Sequence, residues 1–159
     1  MQQKKLANYL KLIVIGVGIC ALLVYALVLP VWGRGIAQRN PEFAHAFWPW
    51  LIFLCGTGIP IFWALCYAWG VFDRIGKDES FCHANADALS KIAKLALADT
   101  IYFFLGQIVL LLMNMNHPGI LLLCLVLVFA GLAVAAVANA LSGLTRRATI
   151  LREENELTI

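Results

Sequence analysis

Charge is what this 159-residue chain has least of: 13% of its residues are Asp, Glu, Lys or Arg, against 62% apolar. Soluble domains average ~25% charged and ~45–50% apolar, so water is excluded as the solvent for most of the chain. Disorder is excluded by the same figures, because unfolded segments need high charge and low hydrophobicity. The five cysteines include no C-x-x-C pair, which argues against membrane thiol–disulfide chemistry. There is no H-E-x-x-H, no G-x-S-x-G, no phosphate-cradling glycine loop, and no pair of carboxylates or histidines within one apolar run. The reading is therefore of a non-enzyme without a cofactor or metal.

What is present is long uncharged runs. Leu12 to Gly33 holds 22 residues, Phe43 to Phe72 holds 30, and Thr100 to Thr145 holds 46. A helix needs roughly 20 apolar residues to cross ~30 Å of hydrocarbon, so the first two runs carry one crossing each and the third carries two. Asn114-Met115-Asn116-His117-Pro118-Gly119 divides the third run, with Pro to fix φ and Gly to accept φ > 0. The expectation is an all-α membrane domain over residues 1–159. Its four spans fall near Leu12–Trp32, Trp50–Val71, Leu95–Met113 and Ile120–Leu141 in an antiparallel bundle, with a loop over 72–94 and a tail over 142–159. A secretory signal usually has an apolar run of only ~7–15 residues before a small-residue cleavage site, so the first run reads as a retained anchor.

Ten of the twelve Lys and Arg lie in the segments that four crossings place on one side: Lys4, Lys5, Lys11, Arg74, Lys77, Lys91, Lys94, Arg146, Arg147 and Arg152. Arg34 and Arg39 lie on the other. The positive-inside rule predicts cytoplasmic termini, and Trp32, Trp48 and Trp50 gather at the outer boundary, where indoles belong. The basic residues mark a membrane side rather than a nucleic-acid surface, since no cluster interleaves them with exposed aromatics.

Within the spans, Cys20, Cys55, Cys66 and Cys124 read as small packing residues. Cys82 and His83 are neighbours, which on a helix point ~100° apart, and His45 and His117 fall on the opposite side, so the spacing makes no metal site. Asp99 is the one carboxylate placed inside a span and by default a functional candidate. The stripe Phe81, Ala84, Ala88, Ile92, Leu95, Asp99 turns it into the bundle, roughly one turn from the cytoplasmic boundary. There Asn139, Ser142, Arg146 or Tyr67 would be its neighbours. Gly56-Thr57-Gly58-Ile59-Pro60 predicts a kink in the second span, because Pro60 cannot donate to the Gly56 carbonyl. Small residues at Ala130, Gly131, Ala133, Ala135, Ala136, Ala138 and Ala140 allow another helix to approach the fourth span, within the chain or in a homo-oligomer. Ser80 is placed to cap an amphipathic helix starting at Phe81, leading into the third span.

Two stretches resemble domain-of-unknown-function family 2975, the YoaS-like bacterial membrane proteins. Phe81-Cys82-His83-Ala84-Asn85-Ala86, with Leu89 and Ile92, is similar to that family's F-x-x-x-N-A-x-x-L-x-x-I pattern. Leu151-Arg152-Glu153-Glu154-Asn155-Glu156-Leu157-Thr158-Ile159 is similar to its L-K-E-E-N-D-L-T-V ending, with Glu156 and Ile159 as conservative departures. The resemblance implies a multi-pass protein of the bacterial inner membrane. It also implies a partner, since such proteins are often encoded beside a small helix-turn-helix regulator. Phe81, Asn85, Leu89, Glu153, Glu154, Asn155, Leu157 and Thr158 carry the signature. Together these readings favour a regulatory or interaction protein with a cytoplasmic docking surface. The alternative is a small oligomeric transporter or channel using Asp99 and the Gly56–Pro60 break.

Overall fold

The computed structural model describes residues 2–156, and among them every regular element is helical. Helix α1 (Gln2–Leu23) passes through a π-helical turn at Val24–Val28 into α2 (Leu29–Arg39). The turn sits just before Pro30, which has no N–H to give. The Leu29 amide bonds Val24 O, one residue further back than an α-helix would place it, and the helix continues. After a short 3-10 segment at Pro41–Ala46 come α3 (Phe47–Gly76), α4 (His83–Leu112) and α5 (Pro118–Glu156). Among the described residues four continuous helical stretches are long and apolar enough to cross a membrane.

The helices outrun the predicted spans. The expected 72–94 loop is mostly helix, because α3 runs on to Gly76 and α4 begins at His83 and enters the third span without a break. Helix α4 is capped at Cys82, whose side chain makes no capping bond, and not at Ser80; the Ser80 hydroxyl donates to Gln3 Oε1 at 3.2 Å. The tail continues α5 as helix to Glu156. Between α4 and α5 the positive φ belongs to Asn114, at 58°, and not to Gly119. Asn tolerates that conformation better than most residues. Asn116 Nδ2 donates to the buried Gln107 Oε1 at 2.8 Å, and the Trp50 indole donates to Met115 O at 2.8 Å. Trp50 is thus a tie to this turn as well as a boundary residue.

The core is a seam between α4 and α5. Along α4 the positions turned inward are Ala86, Leu89, Ala93, Ala96, Thr100, Phe103, Gln107 and Leu110, and along α5 they are Leu121, Cys124, Val128, Gly131, Ala135, Ala138, Ser142, Thr145 and Thr149. Both rows step by alternating threes and fours, the 3.5-residue repeat that keeps two helices in contact along their length. Ala86 meets Ser142 and Thr100 meets Gly131, so numbers rise along one helix as they fall along the other. Of the predicted stripe, Phe81 and Ala84 are exposed, Ala88 is buried, and Ile92, Leu95 and Asp99 are half-buried, while Asn85 and Ala86 are buried beside it. Of the small residues on α5, only Gly131, Ala135 and Ala138 face the seam; Ala130, Ala133, Ala136 and Ala140 face outward. Cys124 alone of the span cysteines is buried, while Cys20, Cys55 and Cys66 lie on the outer surface.

Helix α3 packs on α4 through Phe53, which lies against Gly106 and stacks on Phe103 with ring centroids 5.8 Å apart. It packs on α1 through Tyr25–Thr57 and Lys11–Asp73. Among the described residues neither α1 nor α2 approaches α5 closely, so the ring of helices stays open on that side.

A Cβ at Gly131 would collide with Thr100, whereas one at Gly143 meets nothing within 4 Å. Gly131→Leu is expected to destabilise the purified protein by about 1–3 kcal/mol through overpacking, and Gly143→Leu by little, as read from thermal unfolding in detergent.

Candidate functional site

The ten basic positions named above gather at one end of the helices, and Trp32, Trp48 and Trp50 at the other. At the basic end, Asn85 is 1% exposed. Its Nδ2 donates to Glu79 O at 3.1 Å and Ser80 O at 3.0 Å, while its Oδ1 accepts from Arg74 Nη1 at 3.2 Å. One amide therefore satisfies two loop carbonyls and holds a guanidinium from α3, which closes the short connection between α3 and α4. Next to it Ala86 is fully buried, and its carbonyl accepts from Ser142 Oγ at 2.7 Å. The Asn-Ala pair thus serves the fold, and Asn85 presents no surface to a partner.

Phe81 is different, at 53% exposed. With Cys82, His83, Thr149, Arg152 and Glu153 it lines a cleft of about 270 Å³ between the start of α4 and the end of α5. His83 Nε2 stands 3.4 Å from Glu153 Oε1 across this cleft, and Arg146 donates to Asp87 at 2.7 Å beside it. The two signature stretches, some seventy positions apart in the chain, meet here. Leu89 is half-buried under them in the seam, Glu154 and Asn155 are exposed on the last turn of α5, and Leu157 and Thr158 lie outside the described residues. Among the described residues no group of three His, Cys, Asp or Glu is placed to hold a metal.

On the neighbouring face Asp73 lies between Lys11 Nζ at 2.6 Å and Lys77 Nζ at 2.8 Å. Hydrogen bonds from Lys11 and then Lys77 hold its carboxyl at about 2, below the usual 3.8. Lys11 also lies 5.2 Å from the Trp69 ring centre, and Lys91 lies 5.3 Å from that of Tyr67.

Asp99 occupies a second site, far from the basic end. Ser142, Arg146 and Tyr67 engage Ala86, Asp87 and Lys91, and Asn139 is exposed, so none of the expected neighbours stands beside it. Asp99 instead lines a cavity of about 410 Å³ with Tyr25, Thr57, Thr100 and Gly131. Gly131 is eleven positions past Ile120, roughly 16 Å along the helix, which puts this level near the middle of a ~30 Å hydrocarbon layer.

The Gly56–Pro60 segment stays helical throughout, so it offers no unwound backbone. Its glycines seat tyrosines: a Cβ on Gly56 would stand 2.6 Å from Tyr102 Oη, and one on Gly58 would stand 3.4 Å from the Tyr25 ring. Tyr102 Oη donates to Phe53 O at 3.3 Å. Thr57 donates to Leu54 O at 2.7 Å, which leaves the Tyr25 hydroxyl as the donor in their 2.7 Å contact. Sequence reasoning missed Asn85 as a buried tie, together with Gln107 and Tyr25. For Gln107 the signal was present as an amide at a step of the 3.5-residue repeat, visible only once the register of α4 on α5 is known; Asn85 lies one position off that row.

Residues 31–159 match the family described as protein of unknown function (DUF2975). Over 150 residues the chain is 31% identical to the uncharacterized membrane protein YoaS of Bacillus subtilis (strain 168), covering 93% of this chain and 92% of that one. No solved structure matches the chain.

Asn85→Ala leaves two carbonyls and Arg74 without their partner and is expected to cost about 1–3 kcal/mol, with faster hydrogen exchange over residues 77–82. Asp73, being depressed, contributes fully above its ordinary value, and that contribution is lost as pH falls through about 2. A carbon-13 NMR titration of its carboxyl should show that low midpoint in the wild type and a return toward 3.8 in Lys11→Met.

Proposed function

The chain belongs to the DUF2975 family of proteins of unknown function, and from that premise we propose that it is a regulatory interaction protein of the bacterial cytoplasmic membrane. Its basic end faces the cytoplasm and docks a soluble partner, a small helix-turn-helix regulator. The observation that carries this reading is the convergence of the two signature stretches on one cleft, with a large aromatic left exposed at its rim. Exposed aromatics beside charged residues are the composition of binding hot spots. The positive-inside bias supports the orientation, and the continuous α4 and α5 supply a rigid support for the cleft. The protein acts through binding and performs no chemistry of its own.

Affinity-tagged full-length protein, solubilised in mild detergent, should co-purify with a small helix-turn-helix regulator from its own host. Phe81→Ala should weaken that capture by about tenfold or more, the scale of a hot-spot truncation, while leaving thermal stability in place. Equal capture by wild type and Phe81→Ala, or none by either, would overturn the reading.

A further inference from the structure

The mid-span cavity calls for an occupant that the docking reading does not supply. Its wall is mostly carbon, from Ala21, Val24, Leu54, Phe103, Leu127 and their neighbours. Four polar side chains interrupt it. Thr57 and Thr100 spend their protons on the Leu54 and Ala96 carbonyls of their own helices, each at 2.7 Å, and Tyr25 donates to Thr57. The fourth is Asp99, whose Oδ1 is buried without a hydrogen-bond partner. No Lys, Arg or His lines the cavity. A carboxylate at this depth is costly unless a cation or a donor meets it, and the protein provides neither.

The space beside Asp99 is within the ~300–1,000 Å³ of ordinary small-molecule sites. It lies between α1 and α5, which do not close on one another, and Val24 and Leu127 at its edges are exposed on the lipid-facing surface. A bare inorganic cation is a poor match, since hard cations such as Ca²⁺ take about 6–8 oxygen ligands and this wall offers one carboxylate and three hydroxyls. The fit is to one positive centre on an apolar body, with aromatic faces at Tyr25 and Phe103 to pack against it.

We propose that this cavity is a binding site for an amphiphilic organic cation that enters from the bilayer between α1 and α5 and sets its charge against Asp99. The apolar wall buries the body of the ligand, and the unpartnered carboxylate selects its sign. The site is separate from the docking cleft and stands or falls independently of it.

Tetraphenylphosphonium, a lipophilic cation, is the probe. Equilibrium dialysis against the purified full-length protein in lipid nanodiscs should show saturable binding. Asp99→Asn, which keeps the side-chain shape, should weaken it by at least about tenfold, the effect of removing a buried charge partner. Ala21→Trp, which fills the cavity without touching Asp99, should weaken it similarly. Tetraphenylborate, the same body with the opposite charge, is dialysed in a separate experiment because the two ions precipitate together, and should show no saturable binding. Thermal unfolding of each variant confirms that it is folded. The proposal is overturned by an absence of saturable binding to the wild type, by Asp99→Asn binding as tightly as the wild type, or by tetraphenylborate on its own binding as tightly as the cation.

Discussion

Lipid gives two helices no hydrophobic reason to associate, so the contact that organises this protein is made of close packing between small side chains. It is the seam of α4 on α5, where Ala86, Ala93, Ala135, Ala138 and Gly131 let the backbones approach. Register along the seam then sets where everything else falls. Thr100 against Gly131 fixes the inner wall of the mid-span cavity, and Ala86 against Ser142 brings the start of α4 to the end of α5. A single helical step of slippage would separate His83 from Glu153 and take Phe81 away from Arg152.

Polar ties reinforce that packing at both ends of the helices. Asn85 serves the α3–α4 connection at the basic end, and Gln107, Asn116 and Trp50 hold the α4–α5 turn at the other. The first helix is held differently. It has few buried residues and meets α3 through Tyr25–Thr57 and the Lys11–Asp73 pair. Its failure to reach α5 is what leaves the cavity unfilled, so the weakest packing and the buried, unpartnered Asp99 oxygen occur together. Sites that bind rather than stabilise are often drawn from such less-packed regions.

Much of the architecture was legible from charge alone. Uncharged runs showed four crossings, because a charged side chain within hydrocarbon is costly and its absence over some twenty residues is a physical signal. Proline and asparagine marked the turn before α5, although Asn114 rather than Gly119 takes the left-handed conformation. The two signature stretches were visible as strings of residues, with no sign in them that Asn85 is an internal tie and Phe81 an exposed rim. The neighbours of Asp99 were not legible, since they come from α3, α5 and the π-helical turn after α1.

What the sequence determined by itself was the solvent, the number of crossings and the gathering of basic residues on one side, each of which depends on the transfer cost of single residues. Only the tertiary structure decided which face of each helix is internal. In a soluble helix the apolar face points inward, but here both faces are apolar, as the outward Leu123 and Phe129 show against the inward Ala135 and Ala138. Hydrophobicity therefore cannot choose between lipid and neighbour. The choice is made by size and fit between two helices, a property of pairs of residues far apart in the chain, and it is this pairing that assembles both the cleft at Phe81 and the cavity at Asp99.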